Sequence, residues 1–186
     1  KDEFGALLLV DEAHAFGIIG PQGRGLAAEL GLETRIDFHM GTFSKALGLS
    51  GGYLCSSKEW IDLWTNRARS FIYSTAPSPA LAATIADALE LITREEGEAL
   101  RTKLWENIHH FSAEATSAII PLILGENDKA LQVSQDLQER GFLVPAIRFP
   151  TVPRGTARLR VTISAAHSSE EIDSLKSALA EFISTS

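Results

Sequence analysis

A single cysteine, Cys55, and a single methionine, Met40, occur in the 186 residues. One thiol cannot build an intramolecular disulfide framework or a structural zinc site of several thiolates, so a reducing, cytoplasmic setting is expected. Positive charge is also scarce. Seventeen Lys and Arg face 24 Asp and Glu, for a formal net charge of -7. Nucleic-acid binding needs clustered cations that displace counterions, so no nucleic-acid partner is expected. Long apolar runs are missing as well: the longest is Ala6 to Val10. That is far short of the ~20 residues that cross a bilayer, and no basic segment precedes it as in a signal peptide, so no membrane partner is expected. Repeats and low-complexity tracts are absent too. What remains is a globular composition, 45% hydrophobic and 22% charged, suited to small-molecule substrates. The chain opens on Lys1-Asp2-Glu3-Phe4-Gly5 without a methionine and runs straight into an apolar segment, as expected of a piece cut from a longer protein.

Ala6 to Val10 ends in Asp11, the pattern of a parallel strand covered on both faces. In open α/β sheets ligands bind beyond the carboxyl ends of the strands, which places Asp11 and His14 where chemistry is expected. A glycine-rich loop follows, and a strand from about Asp37 to Thr42 delivers Ser44 and Lys45 to another strand end. Further strands are expected at Tyr53 to Ser56 and Phe71 to Tyr73, with a helix over Glu59 to Ala68 between them. Together these make half of a doubly wound domain.

From Pro79 the period turns helical, with Leu81, Ile85, Leu89 and Ile92 on one face. A second helix is expected from about Glu98 to Ser117, then a strand over Ala118 to Leu124 and a helix over Ala130 to Arg140 stopped by Gly141. Strands over Phe142 to Phe149 and Ala157 to Ser164 precede a closing helix, Ser169 to Ile183, announced by Ser168 with Glu171 three residues on. Helices followed by strands suggest a small α+β domain. The boundary is expected near residue 90, dividing the chain into 1–90 and 91–186.

Lys45 sits beside glycines that let a ligand approach the backbone. Alone it reads as a solvated turn lysine. Asp11 changes the reading, because a carboxylate at a neighbouring strand end can sit under the ring nitrogen of a pyridoxal cofactor while the lysine reaches its aldehyde. Opposite charges at about 4 Å are worth up to ~4 kcal/mol at an effective dielectric near 20, enough to favour the protonated ring. The amine can form the imine link and then serve as a general base. His14 can hydrogen-bond the cofactor or the substrate carbonyl. Asp11 and His14 are too few for a closed metal site, and His109 with His110 reads as helix surface.

Val10-Asp11-Glu12-Ala13-His14, Gly20-Pro21-Gln22-Gly23-Arg24-Gly25, Gly41-Thr42-Phe43-Ser44-Lys45-Ala46 and Gly51-Gly52 together resemble the α-oxoamine synthase family of fold-type I pyridoxal-phosphate enzymes. Such enzymes condense an amino acid with an acyl thioester and release carbon dioxide. The resemblance implies pyridoxal 5'-phosphate as cofactor, held by Lys45 as the Schiff-base lysine, with Asp11 at the ring nitrogen and His14 and Thr42 in contact with it. Pro150 to Gly155, Arg158-Leu159-Arg160 and Ser164 to His167 resemble the family's small-domain motif. There the position of Arg160 grips the substrate carboxylate, a job that suits a planar guanidinium, and Thr151 contacts substrate. Without the resemblance, Arg158 and Arg160 read as an exposed strand face. Phe71 to Ala76 resembles the segment whose hydroxyls, Ser74 and Thr75, reach the neighbouring subunit's cofactor phosphate, which implies a homodimer with the site at its interface.

Ala146 to Pro153 looks most like the family members that join L-alanine to a pimeloyl thioester in biotin synthesis, with Arg148 approaching the far carboxylate of the acyl chain. Glycine C-acetyltransferase and 5-aminolevulinate synthase chemistry are the alternatives within the family. The resemblance covers only a carboxyl-terminal half, so this segment by itself is expected to be inactive. A reading from another class is the Asp-Glu-Ala-His strand of a helicase ATPase, although this chain has no Gly-x-x-x-x-Gly-Lys-Ser/Thr loop.

Overall fold

In the computed structural model, residues 1–183 are described. The chain divides between Arg101 and Thr102 into two compact units, Lys1–Arg101 and Thr102–Ser186.

The first unit is built on a three-stranded sheet of order β1-β2-β3, with β1 Leu9–Asp11, β2 Phe38–Thr42 and β3 Gly52–Cys55. β1 runs parallel to β2, Asp11 opposite Met40, and β3 returns antiparallel, Thr42 opposite Gly52. Helix α1 (Leu26–Glu29) lies between β1 and β2, helices α2 (Lys58–Arg67), α3 (Arg69–Ile72) and α4 (Pro79–Thr93) follow β3 in chain order, and α5 (Glu95–Phe111) carries the chain into the second unit. On one face of the sheet the buried Phe38 ring meets Trp60 at 5.2 Å, edge-on, and Trp64 at 4.9 Å, so α2 lies on β2 through two indoles on successive turns.

Burial of β1 is the first departure from expectation. Leu7 and Leu9 are 57% and 50% exposed, so the described residues do not cover the apolar run on both faces. The second concerns Phe71 to Tyr73, expected as a strand. Residues Arg69–Ile72 form the short helix α3, because Phe71 and Ile72 both bond back to the Ala68 carbonyl and Tyr73 to that of Arg69.

The second unit is an antiparallel sheet of order β4-β6-β5, with β4 Ile119–Gly125, β5 Ala146–Ile147 and β6 Ala157–Thr162, together with α6 (Asn127–Glu139) and α7 (Ser169–Ile183). β6 is central and alternates strictly: Ala157, Leu159 and Val161 are buried, while Arg158 and Arg160 point to the other face. The inward set meets a core that includes Ile108, Leu137 and Ile172, each worth about 1.5–3 kcal/mol of burial. Ser168 and Glu171 cap α7 reciprocally. The Glu171 N–H donates to Ser168 Oγ at 3.2 Å, and the Ser168 N–H donates to Glu171 Oε2 at 2.8 Å. The strand expected over Phe142 to Phe149 shrinks to Ala146–Ile147. Leu143 is 85% exposed, and Pro145, which lacks an N–H, interrupts the ladder.

Candidate functional site

Because β1 and β2 are parallel, their carboxyl ends emerge on the same side of the sheet, so the topology brings Asp11 and the loop after Thr42 together. Asp11 is exposed, with its Oδ1 accepting the Ala13 N–H at 2.9 Å. The chain then turns at once: the Glu12 carbonyl accepts from Ala15 at 2.9 Å and Phe16 at 2.8 Å, and the exposed His14 stands in that turn.

After β2, the segment Phe43 to Leu49 closes on itself. The Leu49 N–H donates to the Phe43 carbonyl at 2.8 Å and the Gly48 N–H to that of Lys45 at 3.1 Å. Gly48 takes φ +65, a left-handed conformation natural to glycine. Lys45 is thereby presented at the tip of a closed loop. Its exposed ammonium donates to Thr42 Oγ1 at 3.3 Å, and Ser44 Oγ lies 3.4 Å from the same oxygen.

The two loops are packed together. Gly17 comes so near Ala46 that a Cβ built on it would stand 2.5 Å from the Ala46 Cβ. Beneath them Tyr53 touches Phe16, edge-on at 5.2 Å, and Phe43 at 5.4 Å, so one phenol ring braces the backbone on both sides. Burial pushes that phenol up to about 12, with the negative charges of Glu12, Cys55 and Asp11 adding to the effect. Tyr53 is therefore neutral across the ordinary pH range.

Ser74 and Thr75 lie in the exposed segment after α3, with Ser74 Oγ donating to the Thr75 carbonyl at 3.3 Å. In the second unit Arg160 is half-buried on the outward face of β6, and its N–H donates to the Pro145 carbonyl at 2.9 Å. Arg148 is exposed, and its carbonyl accepts from Thr151 at 2.9 Å, which folds the exposed Thr151 back beside it. The Arg154 guanidinium stacks 4.1 Å from the Phe149 ring centre. Within the first unit, then, Asp11, His14, Thr42 and Lys45 share one strand-end region. Arg148, Thr151 and Arg160 share the β5–β6 side of the second.

Sequence reasoning missed Gly17, Glu12 and Tyr53. The close approach of Gly17 was signalled only by glycine itself, and the roles of Glu12 and Tyr53 depend on partners distant in sequence.

The profile of the family described as aminotransferase class I and II matches residues 1–179. The chain belongs to that family. It is 46% identical over 193 residues to 8-amino-7-oxononanoate synthase of Anaeromyxobacter dehalogenans (strain 2CP-C), covering 98% of this chain and 48% of the relative. To the synthase of Methylobacterium nodulans it is 48% identical over 183 residues, covering 96% and 45%. Among solved structures, serine palmitoyltransferase of Sphingomonas wittichii superposes with a TM-score of 0.89 at 31% identity, covering 97% of this chain and 48% of that one. The serine palmitoyltransferase of S. paucimobilis with bound PLP–myriocin aldimine gives 0.90 at 30%, with the same coverage. 8-Amino-7-oxononanoate synthase of Francisella tularensis gives 0.81 at 24% over 96% of this chain and 55% of that one, a likeness of fold alone. The chain spans about half the length of the curated relatives it matches. The fold is that of fold-type I aminotransferase-like enzymes, and the resemblance to α-oxoamine synthases drawn from the motifs is borne out. This membership assigns the Asp-Glu-Ala-His tetrapeptide to the present fold and displaces the helicase reading.

Proposed function

We propose that this chain is part of an 8-amino-7-oxononanoate synthase, a pyridoxal-phosphate-dependent acyltransferase that condenses L-alanine with a pimeloyl thioester and releases carbon dioxide in biotin synthesis. The observation that carries the reading is Lys45 on a closed loop beside Thr42, at a strand end parallel to the one bearing Asp11. The margin of identity supports this choice among relatives. Over nearly the same span the chain is 46% identical to a synthase of this name and 30% to a serine palmitoyltransferase.

The residues present fit the cofactor: an amine, a carboxylate and a hydroxyl at adjoining strand ends, with the exposed Gly48, Gly51 and Gly52 leaving room for close approach. Pyridoxal phosphate, when bound, supplies an electron sink for the carbanion at the substrate α-carbon. Lys45 would hold the cofactor covalently through its Nζ and, once displaced by the amino acid, take the α-proton. Thr42 Oγ1 orients that nitrogen. Asp11 offers its carboxylate to the ring nitrogen, and His14 supplies a hydrogen bond to the cofactor or the substrate carbonyl. By resemblance, Arg160 takes the amino-acid carboxylate, Thr151 touches substrate, and Arg148 meets the far carboxylate of the acyl chain. Ser74 and Thr75 are assigned to the cofactor phosphate of a second subunit in a cytoplasmic homodimer. As domains, 1–90 would belong to the large cofactor-binding domain and 91–186 to the small one.

Borohydride reduction of the full-length synthase containing this chain, loaded with pyridoxal phosphate and followed by peptide mapping, tests the assignment. The label is expected on Lys45, and Lys45→Ala is expected to lose both the label and turnover of alanine with pimeloyl thioester. A label on another residue, or near-normal turnover in the variant, overturns the reading.

A further inference from the structure

Glu12 is the only carboxylate buried among the described residues, 6% exposed, and the chemistry above gives it no task. It follows Asp11 directly. Successive strand side chains point to opposite faces, so Asp11 is left to face a ligand while Glu12 is driven into the protein. There it is held from several sides. Its Oε1 accepts the Ala27 N–H at 2.8 Å, and its Oε2 lies 3.8 Å from His39 Nδ1, whose Nε2 is 3.1 Å from the Glu33 carbonyl. Gly25 gives it space, since a Cβ there would come within 2.6 Å of Oε1. Its own N–H donates to the Met40 carbonyl at 2.8 Å, and its carbonyl receives Ala15 and Phe16. By contrast, the Asp11 side chain accepts the Ala13 N–H, inside the turn that Glu12 organises.

We propose that Glu12 is a positioning residue: its buried carboxylate, seated on the Ala27 N–H, fixes the peptide that carries Asp11 and so sets how well Asp11 meets the ring nitrogen of pyridoxal phosphate. The inference rests on the assignment of Asp11 under the proposed function. It depends on reach, not on charge alone. A carboxylate shortened by one methylene no longer spans to Ala27, whereas an amide of full length still offers an oxygen to that N–H.

The test titrates the cofactor-free protein with pyridoxal phosphate and follows the visible cofactor band against pH, in Glu12→Gln and Glu12→Asp. Glu12→Gln is expected to bind within about threefold of the parent, and Glu12→Asp to bind tenfold or more weakly with a displaced pH midpoint of the band, in line with one lost buried hydrogen bond. A Glu12→Asp protein with parent affinity overturns the proposal. So does a Glu12→Gln protein as impaired as Glu12→Asp, since an oxygen of full reach to Ala27 would then not be enough. A Glu12→Asp protein that loses its far-ultraviolet circular dichroism also overturns it, by making Glu12 a prop of the whole scaffold. If the parent itself takes up no cofactor, or is labelled away from Lys45, the proposed function fails and this inference with it, which keeps the two failures distinct.

Discussion

Substituting Gly17 by alanine strikes the contact between the two loops. The new Cβ would lie 2.5 Å from the Ala46 Cβ, whereas carbon atoms pack best at about 3.5–4.0 Å, so one loop must retreat by about 1 Å. Gly17 also holds φ +80, where an L-residue costs roughly 1–2 kcal/mol. Overpacking adds about 1–3 kcal/mol, so the two together predict a stability loss of about 2–5 kcal/mol. A functional loss is expected beside it. Ala46 adjoins Lys45, and a misplacement of about 1 Å at a reacting group can cost about 100-fold in rate. The assay is steady-state condensation by the full-length protein at saturating cofactor, run beside thermal unfolding, for Gly17→Ala, Ala46→Gly and the double variant. Removing the Ala46 Cβ restores the space but not the preferred φ. The double variant should therefore regain most of kcat while recovering only part of the lost stability. A single variant with parent kcat, or a double variant no better than the single, would refute the reasoning.

Two further perturbations address stability. Asn107, buried on α5, donates both amide hydrogens, to the carbonyls of Ser164 and His167 at 2.9 Å each. Asn107→Leu should cost about 2 kcal/mol at roughly 1 kcal/mol per bond, lowering the unfolding midpoint by about 4–8 °C for a chain of this size; an unchanged midpoint would contradict it. Tyr53, raised to about 12 from the ordinary phenol value near 10, stays neutral in the folded protein after it would ionise in the unfolded chain. Its contribution is complete below pH 10 and is lost as pH rises through about 12. Tyr53→Phe should flatten the fall in urea midpoint across that window, and an equally steep fall in the variant would count against the shift.

What the sequence disclosed was local, or was carried by motif. The helix Ser169–Ile183 and its cap were readable because Ser168, Glu171 and a sustained 3.6-residue period agree. Phe71 to Tyr73 misled because three apolar residues are too few to separate one period from another, and the bonds back to Ala68 and Arg69 decided for helix. The strand over Phe142 to Phe149 failed for a different reason, since composition does not reveal whether a ladder partner exists on each side. Lys45 and Asp11 were singled out because strand ends in such sheets gather ligands, and the parallel pairing of β1 with β2 brings the two segments to one end of the sheet. The contacts of Glu12 with Ala27, Gly17 with Ala46 and Tyr53 with two phenylalanines depend on where separate segments meet, which no single stretch records.

The strict alternation of β6 divides that strand into two inheritances. Its inward residues answer to a packed interior in which a single methylene is felt, while its outward ones, Arg158 and Arg160, can be exchanged without disturbing that interior. If Arg160 grips substrate as proposed, point changes are therefore a cheap route to a new specificity here, and length changes are not. An inserted residue within Ala157–Thr162 would carry guanidinium groups inward and apolar side chains out over part of the strand, so the packed interior and the outward arginine face would be lost in the same stroke.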